Sequence, residues 1–157
     1  MLKIISPLDQ VDSAITPGFA YGSRGIDNKG NEYIYLPGTT SVEKYDACIF
    51  TTSSGSVTRM VSTNTLSAQM GVAQGAITSN SAGWFQTYGE GWVQCGTTTS
   101  SGSALYSGGT TGTLTGASTT SASILGAIAI GAGTGAANGT IKVRLHYPEA
   151  RVIIGVL

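Results

Sequence analysis

Charge is what this sequence most lacks. Charged residues make up 10% of the chain, and eight basic residues balance eight acidic ones to a formal net charge of zero. About 25% is usual for a soluble domain. A groove built for phosphate backbones gathers Lys and Arg, because counterion release drives that binding. The nearest approach to such a cluster is Lys142, Arg144 and Arg151, and Glu149 interrupts it. Nucleic acid is therefore not an expected partner. Histidine occurs once, as His146, and cysteine twice, as Cys48 and Cys95. The cysteines lie far apart with no C-x-x-C pair, which argues against both a zinc site of close-spaced ligands and a disulfide framework. Two free thiols are expected rather than one disulfide, because Met1-Leu2-Lys3-Ile4-Ile5-Ser6-Pro7 is too short an apolar run for a secretory signal. Long apolar runs are missing too. The longest, Ile124 to Ala132, contains Gly126 and Gly131, whereas a spanning helix needs about 20 residues. The expectation is a soluble chain with no membrane partner and no readable address.

Helical periodicity is also absent: apolar residues nowhere recur at 3.6-residue spacing over a long window. What is present is glycine, 23 residues of it, with abundant Ser and Thr. Thr suits strands through its branched Cβ, while Gly and Ser suit turns. Turn signals recur about every 8–12 residues, as in a sandwich or barrel. Residues 24–37 read as a hairpin around Asp27-Asn28-Lys29-Gly30, and 45–51 with 56–62 as another around Ser53-Ser54-Gly55. Met70 to Ile77 and Gly83 to Tyr88 follow, and Gly89-Glu90-Gly91 reads as a turn into Trp92-Val93-Gln94-Cys95. Near the end, Asn138-Gly139 is the strongest hairpin signal, followed by an alternating strand with Ile141, Val143, Leu145 and Tyr147 on one face and Lys142, Arg144 and His146 on the other. Val152 to Leu157 reads as a last strand. The predicted fold is all-β: a compact antiparallel β-sandwich or barrel over residues 23–157 as a single domain, with long Gly/Ser/Thr-rich loops and an extended N-terminal arm over residues 1–22. Pro7 and Pro17 deny helix to that arm, and Ile4, Ile5, Leu8, Val11 and Ile15 keep it apolar.

Between Met60 and Ile141 the only Asp, Glu, Lys or Arg is Glu90. Such a stretch reads either as a solvated loop or as surface that meets other subunits, where charge is depleted. The interface reading is favoured, because Trp84, Phe85, Trp92, Leu114 and the run Ile124 to Ile130 need burial.

Chemistry-bearing motifs are thin. Gly131-Ala132-Gly133-Thr134-Gly135-Ala136 fits G-x-G-x-x-A, but a dinucleotide loop must open a helix, and here a hairpin and a strand follow. Ser41-Val42-Glu43-Lys44 matches S-x-x-K without the partner motifs that make it catalytic. His146 has no positioned nucleophile or acid in the pattern. Asp27, Asn28, Asn31 and Glu32 lack EF-hand spacing and read as a solvated turn. Asn138-Gly139-Thr140 is a formal glycosylation sequon that reads as a turn. No enzyme, catalytic residue, metal, cofactor or small-molecule substrate is expected. The aromatic group Trp84, Phe85, Tyr88 and Trp92 reads first as core anchors, and otherwise as a sugar platform or a contact hot spot. Trp84 and Tyr88 fall on one strand face and Phe85 on the other.

Gly71-Val72-Ala73-Gln74-Gly75-Ala76-Ile77, Gly83-Trp84-Phe85-Gln86-Thr87-Tyr88-Gly89 and Ile124-Leu125-Gly126-Ala127-Ile128, in this order and spacing, resemble the decoration (cement) proteins of tailed-bacteriophage capsids, from about Tyr33 to Tyr147. The resemblance implies a compact β domain, commonly trimeric, on the outer face of the major capsid protein lattice, stabilising the shell. It implies a virion location on the capsid exterior, production in the host cytoplasm, and the major capsid protein and further copies of itself as partners. It carries over no catalytic residue, and residues 96–123 depart from it. The interaction residues expected on this reading are Ile4, Ile5, Leu8, Val11, Trp84, Phe85, Tyr88, Trp92, Ile124 and Leu125. The competing readings are a host-surface or glycan-binding module and a tail or fibre subunit.

Overall fold

The structure, a computed structural model, describes residues 2–3, 7–13, 16–51, 55–61, 68–96, 99–117, 122–133 and 139–151. Among these residues there is no helix. There are twelve strands: β1 (Leu2–Lys3), β2 (Asp12–Ser13), β3 (Arg24–Ile26), β4 (Glu32–Pro37), β5 (Ala47–Phe50), β6 (Val57–Arg59), β7 (Ala68–Ala73), β8 (Ser81–Cys95), β9 (Ala104–Ser107), β10 (Leu114–Thr115), β11 (Ser123–Ala129) and β12 (Gly139–Arg151). The all-β expectation holds. The pairing is antiparallel except for two short parallel contacts, β1 with β3 and β10 with β8.

Two long strands organise everything else. The first half of β8 lies beside β4, from Glu32 opposite Tyr88 to Pro37 opposite Ala82. Its second half lies beside β12, from His146 opposite Tyr88 to Gly139 opposite Cys95. β12 takes β11 on its other edge, β11 takes β9, β9 takes β10, and β10 returns to β8 at Leu114 opposite Cys95. That circuit is a small closed barrel. Its interior holds Val93, Cys95, Leu105, Leu114, Ile124, Ala129, Ile141, Val143 and Leu145 in one buried cluster. The odd-numbered residues of β12 from Ile141 to Leu145 supply its floor, as period-2 alternation requires. Each such side chain removed from water stabilises the fold by about 1.5–3 kcal/mol.

β7 joins this barrel to a second lobe. It pairs with β12 through Gln69 and Ala68, with β8 through Val72 and Ala73, and with β5, which pairs with β6. Ile34, Leu36, Cys48, Phe50, Val57, Ala73, Ile77 and Phe85 fill this lobe. Cys48 and Cys95 are both buried free thiols, in different clusters. A third cluster, Tyr33, Tyr35, Ala82 and Trp84, is capped by Leu8 and Phe19. The Phe19, Tyr35 and Trp84 rings meet edge-on at 5.0–5.4 Å between centroids, the arrangement ring quadrupoles favour. The described part of the N-terminal stretch therefore lies on its own chain. β2 pairs with β8, Val11 packs on the second lobe, and the Asp12 carboxylate accepts the Tyr35 hydroxyl at 2.6 Å.

Two local expectations are corrected. Gly89-Glu90-Gly91 does not turn, because β8 runs through it. The Gln86 side-chain amide donates to the carbonyls of Tyr88 and Glu90, and the Asn31 Oδ1 accepts the Glu90 amide, so the irregularity at Gly89 is absorbed without ending the strand. Tyr147 leaves the buried face of β12: its φ is +48° and its ring is exposed. Residues 96–123 include β9 and β10, with Leu105 and Leu114 as buried anchors and Thr99, Ser107, Thr113 and Thr115 buried beside them. Asn138 and the strand expected over Val152 to Leu157 lie outside the described residues.

Candidate contact face

The outer surface of β8, β11 and β12 carries the most distinctive group of exposed side chains. The alternation that sends Ile141, Val143 and Leu145 inward sends Lys142, Arg144 and His146 outward. Register then fixes their neighbours: Trp92 stands opposite Lys142, Glu90 opposite Arg144, and Tyr88 opposite His146. On the far edge Ile128 stands opposite Arg144, and Leu125 opposite Glu149.

Leu125 and Ile128 share this outer face only because β11 is irregular between them. In an unbroken strand Leu125 would share a face with Ala129, and Ile128 with Ile124. The register shift at Gly126, φ +74°, reverses the parity, so Ile124 and Ala129 point inward while Leu125 and Ile128 point outward. Trp92 at 48%, Leu125 at 47% and Ile128 at 40% are among the most exposed large apolar side chains. Exposed apolar side chains grouped on one surface mark contact sites in soluble proteins.

An ion cluster sits in the middle. Glu90 Oε2 lies 2.8 Å from Lys142 Nζ, and Oε1 lies 2.9 Å from Arg144 Nη2. Hydrogen bonds from Lys142 and then Arg144 bring the Glu90 carboxyl down to about 2. At one end, Tyr88, His146 and Tyr147 form an aromatic trio with centroids 5.3–5.5 Å apart, and the Tyr147 hydroxyl donates to Glu32 Oε2. That bond raises the Tyr147 hydroxyl above its usual range, with burial and the Glu32 charge adding to it. The face thus offers three apolar side chains, an aromatic corner and an ion cluster in which one carboxylate pairs with both cations, leaving a single net positive charge.

The residues singled out from sequence divide sharply. Tyr88, Trp92 and Leu125 lie on this face. Trp84, Phe85 and Ile124 are buried core residues, so their side chains are held inside and not presented for contact. Leu8 and Val11 pack on the chain's own clusters, and Ile4 and Ile5 lie outside the described residues. Glu90, Ile128, Arg144, His146 and Tyr147 complete the face without having been singled out for contact. The isolation of Glu90 in a neutral stretch was the available signal for the ion cluster. Among the described residues, no three His, Cys, Asp or Glu side chains are grouped to hold a metal ion. A cavity of about 330 Å³ where β7, β8 and β12 diverge is lined by Arg24, Phe50, Met70 and Tyr147, among others.

No protein family matches the chain, and no curated protein matches it by sequence. Among solved structures its fold is similar to the head fiber gp8.5 N base in bacteriophage phi29, with a TM-score of 0.53 and 11% sequence identity. The match covers 73% of this chain and 93% of that one. At this identity the likeness is one of fold.

Proposed function

We propose that this chain is a non-enzymatic structural subunit of a phage virion, which docks through the β8–β11–β12 face on the outside of the major capsid protein lattice and stabilises the shell as a trimer. The observation that carries the reading is the exposed face itself: Trp92, Leu125 and Ile128 around an internally paired ion cluster, on the outer surface of the barrel. Its fold likeness to a phage head fiber base supports a place in the virion, and the resemblance to decoration proteins over Tyr33 to Tyr147 supports the capsid exterior. The uncharged surface of residues 99–117 supports contact between copies, since an interface depletes charge where open surface keeps it. Many equivalent docking sites turn modest individual contacts into firm attachment.

The same fold likeness favours a second reading, in which the domain is the base of a head fiber. The two readings differ in copy number. A decoration protein occupies sites across the lattice, whereas a fiber base occupies few.

The test is sedimentation of the purified protein with capsids that lack it, alongside its mass in solution by light scattering. Saturable binding at many sites, with a mass near three times 15.9 kDa, is expected. Trp92→Ala combined with Ile128→Asp should abolish binding while leaving the fold intact. A wild-type protein that never co-sediments with capsids overturns the proposal.

A further inference from the structure

We propose that the groove between the β3–β4 turn and the barrel face binds a neutral oligosaccharide. The groove encloses about 460 Å³, within the range of about 300–1,000 Å³ typical of small-ligand sites. Trp92 and Lys142 form one rim, and Asp27, Lys29 and Asn31 form the other, with Tyr45 and Gln74 also in its lining.

The chemistry of the lining selects the ligand. Two carboxylates and two ammonium groups balance, which disfavours a polyion of either sign. Both carboxylates are already committed. Asp27 accepts hydrogen bonds from the Lys29 and Asn31 amides, the Asn31 side chain and the Tyr33 hydroxyl, and Glu90 is held by Lys142 and Arg144. Other polar groups are uncommitted. Gln74 donates to the Val72 carbonyl through Nε2, and among the described residues its Oε1, the Tyr45 hydroxyl and the Lys29 ammonium have no hydrogen-bond or ion-pair partner. These groups read hydroxyls. The exposed Trp92 ring supplies the flat apolar surface on which the C–H face of a sugar stacks.

A peptide fits less well. Beside the groove β8 pairs with β12 on one edge, and on its other edge the Asn31 side chain accepts the Glu90 amide and the Tyr45 carbonyl accepts the Gln94 amide. Between those two bonds the edge left is too short for strand addition. A backbone feature singles out the same place. Tyr45 holds φ at +70°, in the left-handed region that costs a non-glycine residue of order 1–3 kcal/mol and that concentrates at functional sites.

The free protein provides its own reporter, so the measurement does not depend on the virion reading. Trp84 is buried and Trp92 exposed, so quenching of tryptophan fluorescence by acrylamide reads Trp92. The probes are neutral oligosaccharides built on glucose, galactose, mannose and N-acetylglucosamine. At least one should protect Trp92 from quenching at millimolar concentration. By calorimetry, Trp92→Ala should weaken that probe about tenfold, the loss of one stacking contact. Tyr45→Phe, which keeps the ring and removes the hydroxyl, should weaken it in the same direction with the fold unchanged. Protection by no neutral probe, protection by carboxylated sugars only, or equal binding by Trp92→Ala overturns the proposal.

Discussion

At the scale of single residues, two ion clusters in this charge-poor chain behave in opposite ways. Glu90 is open to water. Its bridges to Lys142 and Arg144 are strong local bonds, but surface pairs of this kind add little to stability. They are better read as a device that lowers the charge of this face, since the one carboxylate offsets one of the two cations. The pH dependence follows from the sign of the shift. The folded carboxyl lies near 2, below its usual value of 4.5, so its contribution is complete above about 4.5 and is lost as pH falls toward 2. An NMR titration of the Glu90 carboxyl should show a midpoint near 2. A midpoint near 4.5 would mean that the bridges do not persist in solution. Asp46 is the opposite case. Its side chain is 1% exposed, with Oδ2 lying 2.7 Å from Arg59 Nε and accepting the Glu43 amide. Burial pushes its carboxyl up, against the hydrogen bond from Glu43 and the Arg59 charge. Asp46→Ala would leave Arg59 facing the interior unpaired. The expected loss is about 2–4 kcal/mol in urea unfolding, slightly below the range for a fully buried pair because Arg59 keeps some contact with water. Asp46→Ala with Arg59→Met should recover most of it.

At the scale of elements, three neighbouring strands each break their regularity along one line. Gly89 in β8 has φ +95°, Tyr147 in β12 has +48° and Gly126 in β11 has +74°. Leu145 pairs with Gly89, and Gly126 lies against His146 and Pro148. Bulges sharpen a strand's bend and switch which residues face the core. This seam is where the outer face turns and where the Tyr88, His146 and Tyr147 rings gather. Gly89 is constrained both by its positive φ and by the Asn31 side chain, into which a Cβ there would run. Gly89→Ala should therefore cost about 1–3 kcal/mol in chemical denaturation, from backbone strain and displacement of Asn31. An unchanged midpoint would mean that the seam tolerates an ordinary strand residue.

The seam also explains what the sequence conveyed. Where alternation is unbroken, as from Ile141 to Leu145, the buried face was legible from period alone. The hairpins around Asp27 to Gly30 and around Ser53 to Gly55 were legible from turn residues. Parity reversals were not, because a bulge shows only as a glycine or not even that. Tyr147 was accordingly placed on the face of Ile141, Val143 and Leu145, and Gly89 to Gly91 in a turn. The contact face was half legible for the same reason. Trp92 and Leu125 stood out as apolar residues needing a place, but the aromatic pattern alone does not separate Trp92, outside the barrel, from Trp84, inside a ring cluster. Ile128 and its neighbour Arg144 are brought together by the β11 bulge, which pairing decides and composition does not.

At the scale of the whole molecule, a net charge of zero and a face whose ion cluster keeps one net positive charge bear on the proposed association with a capsid. A surface that recruits its partner by unpaired charge loses affinity steeply with salt, since the Debye length shrinks from about 10 Å at 0.1 M to about 3 Å at 1 M. Here Glu90 holds both nearest cations and the cluster keeps one net positive charge, so little charge remains for salt to screen. On the proposed docking, attachment draws chiefly on removing Trp92, Leu125 and Ile128 from water, at roughly 25 cal/mol per Å² of apolar surface. Lattice binding should therefore change by less than about threefold between 0.1 M and 0.5 M salt, and its heat-capacity change should be negative, as apolar burial demands. Trp92→Ala should weaken it more than Arg144→Ala. A binding curve that collapses with salt, or an Arg144→Ala variant that loses more than Trp92→Ala, would mean that the ion cluster opens on contact and that its charges, not the apolar ring around them, recognise the capsid.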